Sequence, residues 1–405
     1  MTVVPLKVVD PFEQYVAGNE QADLFQPTVA PILVDVAGWS EADIPVRPWV
    51  APGYLMRGAV TVLSGPGSAG KSSLCVAWAI ALALGERFAE FRPADPMTVL
   101  LYNVEDDHDE QRRRLSAALR QFDAKPSDLA ERVIRVAPGG AGTLLRRDPL
   151  TGRLTFTRAM EALDTLIAAR RPDVIVLDPL VELHDAEEND NQAIRMVMAR
   201  LRQMAQQYRC AILLCHHARK GSSATPGDPD TLRGASAIVG AARVVLTLTV
   251  MSEEEAKTAG LKAEERFGYF RLDGAKSNYA PLHDAEWFQR ISCDLVNGEQ
   301  TAAATPWKPT SPWKDVTIAD ANAALDVIAA GRGDGVLYAL HRRGFGGSRW
   351  AGSVLVERFG VNEEQAATML AQWAKSGVIE EQTYRDPTQR KDRSGLVVIN
   401  ARRPA

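Results

Sequence analysis

The chain has 405 residues, of which 46% are hydrophobic and 24% charged, with a formal net charge of -4. That length and balance suit a folded chain of two or three domains and exclude a low-complexity or charge-expanded one. A slightly acidic whole gives no bulk attraction for nucleic acid, so any basic surface has to be local.

The N-terminal stretch MTVVPLKVVDPFEQY lacks the basic start and apolar core of a signal peptide. Residues 1–44 show scattered prolines and no hydrophobic period, and are read as an arm or linker. From residue 45 strands and helices alternate. A proline-rich approach leads into a β-branched strand at Ala59–Ser64, followed by the apolar run Leu74–Leu84, too short to cross a bilayer and placed as a core helix. Further strands are expected at Met97–Asn103, Arg132–Ala137, Val174–Leu177, Ala211–Cys215 and Arg243–Val250. Helices are expected at Asp109–Phe122, Phe156–Arg170, Asn191–Tyr208 and Ile238–Ala242. Strands apolar on both faces and alternating with helices predict an α/β fold with a mainly parallel sheet. Arg266–Leu272 and Trp287–Leu295 read as antiparallel additions at its edge.

The segment Thr301–Trp313 is rich in Pro, Thr and Ala and reads as a linker. Beyond it, helices at Ala319–Ala330, Trp350–Phe359 and Glu363–Lys375 precede strands at Val378–Tyr384 and Leu396–Asn400, the outline of a winged helix. The expected domains are thus a core over 45–300, a linker over 301–315 and a winged-helix-like domain over 316–405. The four cysteines (Cys75, Cys210, Cys215, Cys293) have no zinc-ligand spacing and are expected to be buried thiols in a reducing, cytoplasmic compartment.

Gly65-Pro66-Gly67-Ser68-Ala69-Gly70-Lys71-Ser72 fits G-x-x-x-x-G-K-[ST] between a strand and a helix. The glycines let backbone N–H groups turn toward phosphates, Lys71 reaches the β- and γ-phosphates, and the Ser72 hydroxyl ligates magnesium. Asp178 ends the apolar run Val174–Leu177, which suits a strand delivering a carboxylate to the metal. Glu105 follows the strand Met97–Asn103 and is the candidate for orienting and deprotonating the attacking water, with Asp106 and Asp107 as alternatives that capping explains better. His216 and His217 come after Ala211–Cys215, either as structural histidines or as a sensor of the γ-phosphate. The Gly/Ser/Pro-rich stretch Arg219–Arg233, with Arg219 and Lys220 at its start, is either a solvated loop or a DNA contact. Arg243 and Lys276 are candidate cations acting on a neighbouring subunit's nucleotide, or surface ion pairs.

The segments GPGSAGKSS, LLYNVEDD, VIVLDPLVEL, LLCHHARKG, LRGASAIVGAARVV and AKSNYAP together resemble the RecA-like ATPases of the plasmid replicative helicase RepA type, with their phage and mobile-element relatives. The resemblance spans Val46 to Arg290. It implies a hexameric ring with ATP and magnesium at subunit interfaces and 5′-to-3′ movement on single-stranded DNA. Replication partners such as an initiator or primase are implied, and no membrane. Carried onto this sequence, Gly65 to Lys71 with Ser72 and Ser73 hold the nucleotide, and Ser72 and Asp178 hold the metal. Glu105 is the catalytic glutamate, His217 the γ-phosphate sensor, Arg243 the arginine finger and Lys276 a second cation. The alternatives are a RecA-like ATPase that assembles on DNA without unwinding it, and a nucleotide-switched DNA-binding regulator. In the C-terminal part, the third helix starts acidic and carries only Lys375. The loop Arg385–Ser394, with Arg385, Arg390, Lys391 and Arg393, is the better candidate for gripping phosphates.

Overall fold

The computed structural model describes residues 38–139, 142–185, 190–217, 226–228, 236–309, 311–333, 335–342 and 349–404. Residues 1–47 form one unit and 48–405 another. In the first, the described residues hold a short 3-10 turn, Glu41–Asp43, whose N-cap Ser40 accepts the Ala42 N–H. Residues 1–37 of the expected arm, and Arg219 and Lys220, lie outside the described residues.

The second unit begins with a small antiparallel pair, β1 (Trp49–Ala51) and β2 (Leu55–Met56). Then come β3 (Val60–Gly65), α1 (Lys71–Leu84), β4 (Val99–Asn103), α2 (His108–Leu119) and β5 (Val133–Val136). A short hairpin, β6 (Leu145–Arg147) with β7 (Leu154–Phe156), precedes α3 (Arg158–Arg170). It takes up Phe156, which the helical period had assigned to the helix. The core continues through β8 (Val174–Asp178), α4 (Asn191–Tyr208), β9 (Ala211–His217), α5 (Ser236–Ala241) and β10 (Val244–Val250). It closes with α6 (Glu253–Thr258) and three long strands, β11 (Tyr269–Ser277), β12 (Glu286–Asp294) and β13 (Gln300–Trp307).

Nine of these strands make one sheet in the order β13-β12-β11-β10-β3-β9-β8-β4-β5. The six from β10 to β5 run parallel, while β11, β12 and β13 add antiparallel at one side. The fold is the α/β class expected, with a mainly parallel sheet. The strand that follows α1 does not return beside β3, because β8 and β9 lie between β3 and β4. Alternate residues feed two cores. Leu63, Leu101, Val176, Leu213 and Leu246 pack with α1 on one face, and Val62, Leu100, Ile175, Leu214 and Val245 with α3 and α4 on the other.

Thr301–Trp307, read as linker, is instead most of β13, paired with β12 from Thr301↔Cys293 to Trp307↔Trp287. Its alanines bear a core role that a Pro/Thr/Ala count cannot show: Ala303 and Ala304 are buried against residues of α1 and α2. The linker proper is correspondingly shorter.

The C-terminal part builds its own core from α7 (Ile318–Ala330), α8 (Gly352–Phe359), α9 (Glu363–Lys375) and the antiparallel pair β14 (Ile379–Arg385) and β15 (Asp392–Val398). Three helices followed by a hairpin is the expected order. The strands reach further into the polar segment than expected, so Arg385 and Arg393 sit in strands and the turn is short.

Candidate nucleotide site

β3 ends at Gly65 and the chain turns straight into α1 at Lys71. Gly70 is the N-cap at φ +99° and has no side chain to cap the helix, so the first-turn N–H groups are left for an outside acceptor. A Cβ at Gly65 would meet the Leu248 carbonyl at 2.8 Å, and one at Gly70 the Phe270 ring at 2.9 Å. At Gly67 a Cβ would meet nothing within 4 Å, which leaves room in front of the loop. This is a cradle of backbone donors, and it fits the phosphates that the motif implies.

Lys71 is buried beneath the loop. Its Nζ donates to the carbonyls of Gly65 (2.8 Å) and Pro66 (2.9 Å) and lies 3.2 Å from Nδ1 of His217. Burial lowers its pKa from the usual lysine range, against the pull of Cys215, Asp178, Cys75 and Glu105. A phosphate oxygen would offer this ammonium a charged acceptor in place of two neutral carbonyls. Ser72 Oγ donates to Asp178 Oδ2 at 2.8 Å, so the hydroxyl and carboxylate that magnesium needs already converge. No group of three or more His, Cys, Asp or Glu able to hold a metal occurs among the described residues. Two protein ligands plus phosphate oxygens are what a nucleotide-bound magnesium uses.

The three acidic residues after β4 separate by role. Asp107 is the N-cap of α2, accepting the N–H groups of Asp109 (3.0 Å) and Glu110 (2.7 Å). Asp106 pairs with Arg114 at 3.1 Å. Glu105 is exposed and its carboxylate holds no hydrogen bond or ion pair to a described residue. Burial, then the carboxylates of Asp178, Asp106 and Glu182, raise its pKa above the ordinary glutamate value, with Lys71 opposing.

β9 extends two residues past the expected strand, pairing Ser64↔His216 and Gly65↔His217 with β3. Strand alternation therefore splits the histidines. His217 faces the P-loop with Cys215 and Leu213. His216 turns to the other face, buried, its pKa lowered to about 4, chiefly by burial. Only His217 of the pair reaches the candidate site.

Arg243 and Lys276 are not brought to this chain's own P-loop. The Arg243 N–H donates to Val60 O (3.1 Å), at the opposite end of β3 from Gly65. β3 has six residues, so those ends lie roughly 17 Å apart at about 3.3 Å per step. The Arg243 guanidinium is exposed, 5.9 Å from the Tyr279 ring centroid. Lys276, paired with Val245 two residues after Arg243, donates to Val239 O (2.7 Å) and Ala242 O (2.9 Å) at the end of α5.

Sequence reasoning missed four residues at the site. Asn103, Gln111 and Arg114 line a cavity of about 30 Å³ with Ser72, Asp106 and Asp178. Arg290 on β12 donates to Ser68 O of the P-loop. An Asn closing a strand before a turn is a readable signal for local hydrogen bonding, and Glu110/Arg114 is a readable i,i+4 pair. Arg290 has no such signal, because 222 residues separate it from Ser68.

Two comparisons bear on this chain. The family described as AAA domain matches residues 26–223, just under half of the chain, which takes in the P-loop, Glu105, Asp178 and both histidines and stops before Arg243. A solved structure titled as an ATPase domain is similar at 14% identity and a TM-score of 0.41, covering 58% of this chain and 82% of that one. No described helix is long and apolar enough to cross a membrane.

Proposed function

We propose that this chain is an ATP-dependent DNA motor, a ring-forming helicase that moves on single-stranded DNA, with each ATP site shared between two copies. The observation that carries the reading is the division of the hydrolysis set between opposite ends of the parallel strands of one sheet. Lys71, Ser72, Asp178, Glu105 and His217 gather at the carboxyl end of the parallel strands, while Arg243 and Lys276 sit at the amino end. A cation some 17 Å away along β3 cannot reach its own nucleotide, but head-to-tail packing of copies would present it to a neighbour's.

In this reading the P-loop amides and Lys71 hold the β- and γ-phosphates, and Ser72 and Asp178 hold magnesium. The metal, when bound, neutralises charge on the phosphate oxygens. Glu105 orients the attacking water and takes its proton. His217, within reach of Lys71, is placed to sense the γ-phosphate. Arg243 of the adjacent copy stabilises the charge on the transferring group, a contribution of about 10³-fold or more in related chemistry.

The test is complementation between two inactive variants. Lys71→Ala removes the phosphate cation and Arg243→Ala the trans cation, so each alone is expected to lose turnover. Mixed, they form interfaces with an intact P-loop from one copy and an intact arginine from the other, and ATPase activity should return. Activity should also rise steeply with protein concentration and with single-stranded DNA. Turnover by Arg243→Ala alone, or failure of two inactive variants to recover when mixed, would remove the shared site. A recovered but DNA-indifferent activity would leave an assembling ATPase that is not a motor.

A further inference from the structure

We infer that Asn103 is a positioning residue that selects Glu105, out of three consecutive acids, as the carboxylate presented to the nucleotide. The inference rests on the reading of Glu105 as the base. Residues 105–107 are Glu, Asp, Asp. A turn displaced by one residue would therefore present a shorter carboxylate at a different place.

Asn103 is the last residue of β4 and pairs with Asp178 in the ladder to β8, so its backbone is held in register with the metal-side acid. Its Oδ1 accepts two backbone N–H groups at once, those of Glu105 (2.8 Å) and Asp106 (2.7 Å). Its Nδ2 lies 3.4 Å from Asp106 Oδ2, which Arg114 grips. The rest of the turn is held from outside. The Val104 N–H donates to Asp178 O (3.3 Å), and Gln111 Nε2 donates to Asp106 O (3.1 Å). With Asp107 spent on capping α2 and Asp106 on Arg114, the fork from Asn103 turns the remaining acid, Glu105, outward. A neutral amide suits the position because it accepts both bonds without adding a charge beside Asp178, Glu105 and Asp106.

Truncation removes the fork but none of the groups that hold phosphate or metal. Asn103→Ala is expected to lower kcat roughly 10- to 100-fold, the scale of a small misplacement of a reacting group. KM and the affinity for a fluorescent ATP analogue with magnesium should stay within about threefold, since uniform binding is untouched. Wild-type kcat in Asn103→Ala, or a loss carried by nucleotide affinity instead, would overturn the inference. Glu105→Gln distinguishes the two levels. If it turns over normally, the base reading itself fails. If it is inactive while Asn103→Ala is normal, only the positioning role fails.

Discussion

Glu105 stands among carboxylates whose charges it would join, and that has a consequence for pH. Partial burial, then Asp178, Asp106 and Glu182, disfavour its ionised form, and Lys71 favours it. A base works deprotonated, so turnover should fall as pH drops through a value above the ordinary glutamate pKa of about 4.3. Asp106→Asn removes one of the raising charges, so the acid limb of kcat should move to lower pH. The check is kcat against pH for both proteins, and a limb that stays put or moves up would contradict the assignment. At this scale much was legible. The P-loop is a contiguous motif, and capping preference separated Asp107 from Glu105 before any coordinates. Asn103 was not read, because its role depends on where two amide hydrogens point. The residues alone left the histidine pair undivided and only the resemblance singled out His217, whereas the period of a strand places the two on opposite faces.

At the scale of elements, the strand–loop–helix unit from Val60 to Leu84 shows which glycines serve the backbone and which serve the ligand. Gly70 sits at φ +99° with the Phe270 ring 2.9 Å from where a Cβ would stand, so Gly70→Ala meets strain and a clash together. It should cost on the order of 1–3 kcal/mol of stability as well as nucleotide affinity. At Gly67 a Cβ would meet nothing within 4 Å and φ is ordinary, so Gly67→Ala should leave the melting temperature in place. Thermal melts of the two variants decide it: equal losses would mean that the loop is not held as described. Most elements could be read because burial imposes a period, as in α4, whose bounds Asn191–Tyr208 match the apolar spacing. Those that escaped show too little period of their own. The β6–β7 hairpin is three residues per strand, and β13 is recognisable as a strand only through its pairing with β12.

For the whole molecule, the placement of Arg243 at the far end from Lys71 could not be read from the sequence, because it follows from sheet order and strand direction, to which local patterns are blind. The C-terminal helices and hairpin were legible, but their relation to the core was not, and it bears on what they can touch. The first turn of α9 is docked on α6: Asn362 Nδ2 donates to Lys257 O at 2.8 Å, and the Gln365 amide lies where a Cβ on Gly260 would meet it at 2.8 Å. That turn begins with Glu363 and Glu364, so a DNA groove would face both a steric and an electrostatic obstacle there. Of the four basic residues of the hairpin, Arg393 is tied to Asp386 at 3.0 Å and Arg385 lies 3.8 Å from Asp392. Arg390 and Lys391 are exposed in the turn, with no ion pair to a described residue. If this domain meets DNA, the hairpin turn makes the contact and phosphates are what it touches. The double variant Arg390→Ala/Lys391→Ala should then weaken DNA binding and reduce the dependence of log K on log salt by up to about two. Ala367→Glu, on the exposed side of α9, should bind as the parent does. Salt titrations of both variants on one DNA separate the outcomes, and loss of binding in Ala367→Glu with a normal double variant would place α9, not the hairpin, on the DNA.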